Sequence, residues 1–221
     1  MPAVRQRRRK RSRRLPWAAL SLAVGLLAAG LALWHWFRPA VLPGERVSIP
    51  EDVQVDYLTP NPYSRPQLPL EKIRGIVIHY VGNPGTSAQA NRSYFEGLAA
   101  GTDGVYASAH FIVGLEGEVV QCIPLTEDAY ASNSRNADTI GIEVCHPDET
   151  GEFSAVTYDR LVDLTADLCL QLKLTAEDVI RHYDVTGKNC PKYYVENPEA
   201  WDAFRQAVTD RMAERRADGQ R

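Results

Sequence analysis

Apolar residues along this chain fall into long, short and helically spaced runs, and each kind predicts a different element. The long one is residues 15–37, 23 successive positions without Asp, Glu, Lys or Arg. At about 1.5 Å per residue, a helix of that length reaches across the roughly 30 Å hydrocarbon layer of a bilayer. From residue 73 the runs are short. Residues 73–81 (IRGIVIHYV) and 139–145 (TIGIEVC) are apolar on both faces, the mark of central strands covered by helices on both sides. Residues 108–114 and 119–124, separated by Leu115-Glu116-Gly117-Glu118, read as a hairpin, and residues 179–182 as a further strand. Helical spacing appears in residues 87–98, capped by Ser87 or Thr86, and again in 201–212. It also appears in residues 158–173, where Leu161, Leu164, Leu168 and Leu172 share a face. This order predicts an α/β fold with a mixed, largely parallel central sheet flanked by helices on both faces.

Prolines and charges set the expected boundaries. Pro39, Pro43, Pro50, Pro60, Pro62, Pro66 and Pro69 mark residues 38–70 as a spacer. If wholly polyproline-like, it would reach on the order of 90 Å; alternatively its second half, residues 56–69 with Tyr57, Leu58 and Tyr63, would lie against the domain. The first 14 residues carry eight basic groups, and Trp17, Trp34 and Trp36 sit near the ends of the long apolar run. That asymmetry predicts a single-pass cell-membrane protein with a cytoplasmic N-terminus and an extracytoplasmic domain. A cleaved signal peptide fits less well, because the run is long and ends in Trp34-His35-Trp36-Phe37. The expected organisation is a basic tail over 1–14, a transmembrane helix over 15–37, the spacer over 38–70, the folded domain over 71–212 and a polar tail over 213–221. Without the eight early cations, 17 basic residues face 28 acidic ones, a formal −11. That balance argues against a nucleic-acid partner, which demands clustered cations. No obligate protein partner is implied. The four cysteines show no C-x-x-C pairing, and Cys122, Cys145 and Cys169 read as small buried hydrophobes.

The candidate chemistry lies at strand ends. His79 closes the first central strand, His182 closes another, and Cys190 follows eight residues later. Side chains at the carboxyl ends of neighbouring strands converge over one crevice. Two imidazoles and a thiolate there suit Zn²⁺, with a fourth position left open for chemistry. On the residues alone, packing is an equally valid account of each: a histidine on an apolar strand is commonly a hydrogen-bonded core residue, and a lone cysteine usually fills space.

Four stretches tip the balance. IVIHY (76–80), SAHFIV (108–113), TIGIE (139–143) and HYD…GKNCP (182–191) occur in the order found in the type-2 N-acetylmuramoyl-L-alanine amidases. Residues 73–201 resemble that family, which includes phage lysozyme-type amidases, bacterial cell-wall amidases and animal peptidoglycan recognition proteins. The resemblance implies zinc on His79, His182 and Cys190, Glu143 beside the attacking water, and Lys188 aimed at the scissile carbonyl. It implies peptidoglycan as substrate, cut at the amide between N-acetylmuramic acid and L-alanine of the stem peptide. Strand alternation agrees, setting Gly141, Glu143 and Cys145 on one face and Ile140, Ile142 and Val144 on the other. Members lacking the strand glutamate have tyrosine where this chain has Ala109, which leaves the acid–base role to Glu143. Where many relatives read Trp-His-Ala-Gly, this chain reads Ala129-Tyr130-Ala131-Ser132-Asn133. On that basis Tyr130, Asn133 and Arg135 are candidate substrate-groove residues, with His110 as a pocket-wall, supporting or packing residue. Arg135 or Arg181 would hold a peptide carboxylate or form a surface ion pair. Two rival readings are a peptidoglycan-binding module without catalysis and a zinc peptidase acting within the stem peptide.

Overall fold

Six strands form one sheet in the computed structural model, which describes residues 42–219. They are β1 (Val53–Val55), β2 (Gly75–Ile78), β3 (Phe111–Val113), β4 (Val119–Gln121), β5 (Thr139–Val144) and β6 (Val179–Arg181). Their order is β1-β4-β3-β5-β2-β6. Only the β3–β4 hairpin is antiparallel; the other neighbours run parallel. The helices are α1 (Ala88–Gly97), α2 (Ala155–Leu172), α3 (His182–Thr186), α4 (Lys192–Glu196) and α5 (Pro198–Asp218).

Period-2 alternation sorts the strand residues into two cores. Ile76, Ile78, Ile140, Ile142 and Val144 pack with Leu161, Leu164 and Leu168 of α2 and Phe204 and Val208 of α5. On the opposite face Ile112, Val120 and Cys145 pack with Ala88 and Phe95 of α1 and with Leu58. Helices therefore cover both faces, as the two-sided apolar strands require. The Ser87 hydroxyl accepts the Ala90 N–H at 3.2 Å and so satisfies one free donor at the start of α1. Cys122, Cys145 and Cys169 are buried.

Three expectations are corrected. Residues 42–70 are laced to the domain. β1 lies in register with β4, the Leu58 N–H bonds Cys122 O at 2.9 Å, and the Asp128 N–H bonds Leu68 O at 2.8 Å. A free reach of tens of ångströms is thus ruled out for this stretch, because Leu58 and Leu70 bury their side chains. The C-terminal helix runs to Asp218. Its last turns are held by ion pairs of Arg211 and Arg215 with Asp163 and of Arg215 with Asp167.

The third correction concerns the membrane. Among the described residues no helix is long and apolar enough to cross a bilayer. The two of 18 or more residues, α2 and α5, carry charges on several turns, from Asp159 to Asp167 and from Glu199 to Asp218. The described residues therefore give no support to a membrane-spanning helix or a cell-membrane location. Residues 15–37, on which they were placed, lie outside the described residues.

Candidate metal centre and cleft

Parallel pairing of β2 with both β5 and β6 brings three strand ends side by side. His79 follows the last residue of β2, and its N–H is tied to Ile142 O at 2.9 Å. His182 is the first residue of α3, directly after β6. The chain then turns at Gly187, whose φ of 76° suits glycine, and returns so that Cys190 O accepts the Tyr183 N–H at 2.9 Å. The local folds thus bring Cys190 back to the two histidines.

The donor atoms converge. One nitrogen or sulfur from each of His79, His182 and Cys190 lies within 4.8 Å of the others, and all three residues are buried. His79 Nδ1 is 3.1 Å from His182 Nδ1 and 3.9 Å from Cys190 Sγ. A tetrahedral zinc ion with ordinary bond lengths would hold two imidazole nitrogens about 3.3 Å apart and nitrogen from sulfur about 3.6 Å apart. The spacing fits a bound ion.

The outer ring nitrogens support the same reading. His182 Nε2 lies 2.9 Å from Asn133 Oδ1, an acceptor, so the ring donates there and leaves Nδ1 bare. His79 Nε2 lies 3.2 Å from Ser132 Oγ. Burial holds His79 well below the usual imidazole range, with the charges of His182 and Lys188 acting in the same direction. His182 is lowered too, by burial and then Lys188. Both rings therefore favour the neutral form that a metal requires. Burial pushes the Cys190 thiol up to about 12, with the Glu143 charge adding to it. A thiolate in this position calls for a cation beside it.

A cleft of about 380 Å³ opens over these atoms, walled by Glu143, Lys188, Tyr106, Tyr130 and Asn133 among others. Glu143 Oε2 is buried and has no hydrogen-bond partner. Burial pushes this carboxyl up to about 8, with Lys188 opposing. Glu143 lines the cleft beside three metal-type donors, and its buried Oε2 lacks the partner that an ordinary structural carboxylate would have. Gly141 makes the room. A Cβ there would stand 2.6 Å from Ala131 Cβ, so only glycine lets the 131–133 loop close onto His79 and His182.

The other candidates divide. Tyr130 and Asn133 line the cleft, whereas Arg135 and His110 are absent from its lining. Arg135 is held by Asp138 at 2.6 Å. His110 is fully buried: Nδ1 accepts the Gly141 N–H at 3.0 Å, and Nε2 lies 2.9 Å from Glu127 O. With both nitrogens engaged by backbone, it braces β5 and offers nothing to a ligand. Arg181 pairs with Asp184 at 2.7 Å. Sequence reasoning missed Ser132 and Tyr106. Ser132 lies beside Asn133 in the divergent stretch, which was the available signal; Tyr106 had none.

Comparison with known proteins bears on this site. Residues 69–193 match the family described as N-acetylmuramoyl-L-alanine amidase. The chain is 34% identical over 178 residues to N-acetylmuramoyl-L-alanine amidase BlyA of Bacillus subtilis (strain 168), covering 71% of this chain and 47% of that protein. It is 36% identical over 165 residues to a probable N-acetylmuramoyl-L-alanine amidase of Bacillus licheniformis, covering 69% and 46%. The chain thus spans about half the length of these relatives. Among solved structures, the catalytic domain of XlyA superposes with a TM-score of 0.60 at 25% identity, covering 71% of this chain and 98% of that one.

Proposed function

Because the chain belongs to the N-acetylmuramoyl-L-alanine amidase family, we propose that it hydrolyses the amide between N-acetylmuramic acid and L-alanine in peptidoglycan, with zinc held by His79, His182 and Cys190. The observation that carries this reading is the convergence of two imidazoles and one thiol at a cleft wall that also presents Glu143. Zinc bound there would supply a Lewis acid, polarising the amide carbonyl and acidifying water.

The remaining work falls to side chains. Glu143 Oε2, free of other partners, takes a proton from the attacking water and returns it to the departing nitrogen. The positive charge of Lys188, and of a divalent cation nearby, favours the ionised carboxyl that this step needs. The Lys188 ammonium also offsets the negative charge that develops on the carbonyl oxygen, an effect of about 2.7–4 kcal/mol per donor in other hydrolases. Asn133 and Ser132 fix the ring planes of the two histidines.

Incubating purified cell wall with the full chain and zinc, then weighing the soluble products, tests the proposal. New L-alanine amino termini are the expected result. Cleavage elsewhere in the stem peptide would identify a peptidase, and tight wall binding without release would identify a binding module.

A further inference from the structure

The cleft does not end at the tyrosines. Tyr106 and Tyr130, which wall it, also wall a second, more open groove of about 540 Å³ whose far side is built from Pro60, Pro62, Pro66, Gln67 and Leu68. A substrate extending from one space into the other passes over both rings. We propose that this groove is a saccharide subsite, taking the uncharged N-acetylated hexosamine units of the glycan strand whose peptide amide lies in the cleft. The proposal rests on the function given above, and names which arm of that substrate runs which way.

The surface chemistry favours sugar over peptide. Arg65 is the charged residue of the groove wall. Its guanidinium is bidentate on Glu127 at 2.8 Å and also donates to Leu58 O at 2.7 Å, so it has little left to offer a ligand. A stem peptide carries free carboxylates and would look for uncommitted cations, whereas an N-acetylated glycan is neutral. Its flat C–H faces pack on aromatic and proline rings, and its acetamido groups need amide partners. Tyr106 is 59% exposed, yet its ring is held 5.2 Å from Tyr63 and edge-on to Tyr130 at 82°. Leu68 leaves 48% of its surface open. Gln67 sits at φ 57°, a backbone region uncommon for a side chain of this kind, at the lip of the groove. Residues 60–68 precede the family match, which begins at residue 69.

The test uses the full chain and a probe with neither lactyl group nor peptide, the β-1,4-linked tetramer of N-acetylglucosamine. Titration calorimetry should show binding to wild type, weakened about tenfold or more by Leu68→Asp, a change of about 1.4 kcal/mol. Gln67→Gly, which suits the backbone angle but removes the amide, should weaken it less. For hydrolysis, Leu68→Asp should raise KM on long glycan fragments. Equal tetramer affinity in wild type and Leu68→Asp overturns the proposal. So does a result in which the free stem peptide, and not the tetramer, loses affinity in that variant. If wild type binds the tetramer in a Leu68-dependent way yet releases no L-alanine termini from cell wall, the groove stands and the amidase function falls.

Discussion

Two hydrogen bonds stand behind the histidines of the candidate metal centre. The divergence of residues 129–133 from the Trp-His-Ala-Gly pattern suggested substrate contact for Asn133. Its side chain lines the cleft and also bonds His182, from a backbone at φ 51°. No periodicity reports a single left-handed residue in a loop, so this contact was illegible in the sequence, while the motifs did single out the three donors that converge and the Glu143 beside them. Asn tolerates that backbone, and glycine tolerates it better. Asn133→Gly therefore removes the acceptor without new strain. It should lower zinc affinity about 10–100-fold in a chelator competition, whereas Asn133→Asp, which keeps an acceptor, should stay near wild type. Unchanged affinity in Asn133→Gly would remove Asn133 from the site's support. Glu143 predicts a different split. Its Oε2 makes no bond in the fold, so Glu143→Ala should leave stability and zinc content intact while cutting turnover by about 10²–10⁴-fold. Cys190→Ser should do the reverse to the metal, because a hydroxyl is a poor replacement for thiolate.

Among the elements, the strands and the three longer helices after residue 73 fell close to their expected places, since their apolar patterns are dictated by burial on one face or two; the short helices His182–Thr186 and Lys192–Glu196 were not expected. The leading segment did not. Proline density in residues 38–70 suggested an extended spacer, with only residues 56–69 open to lying against the domain, yet Val53–Val55 adds a strand and Leu58 joins the core with Phe95 and Ile112. A three-residue strand has no readable period. What fixes it is the β4 edge it lies against, a partner more than sixty residues away in sequence. The two accounts differ in stability. Leu58→Ala in a spacer would change little, within about 0.5 kcal/mol. At a site 1% exposed it should cost about 2–5 kcal/mol, read from the shift in a urea unfolding midpoint at unchanged slope. A smaller loss would mean that the segment is only loosely seated.

For the whole molecule, the same packing that shapes the cleft couples its framework to pH. His110 was legible as a histidine in a strand, but not its function, because the partners of a buried imidazole come from elsewhere in the fold: here Gly141 on β5 and the Glu127 carbonyl. Burial lowers His110 from 6.5 to about 4, with the Glu127 carbonyl and charge partly opposing. The unfolded chain, titrating near 6.5, therefore binds a proton that the folded chain refuses between those two values. Stability from this residue is fully present above 6.5 and is lost as pH falls towards 4. The difference, about 2.5 pKa units, sets an upper limit of order 3 kcal/mol. Asp128 works against it. Burial raises that carboxyl to about 6, so its share of stability grows as pH falls through the same range. Wild type alone cannot separate the two, but a variant can. In metal-free protein, the stability advantage of wild type over His110→Asn should shrink steadily from pH 7 to pH 4, because only wild type carries the refused proton. An advantage that stays constant across that range would show that His110 is not held neutral, and the bracing of β5 by a bare imidazole nitrogen would have to be abandoned.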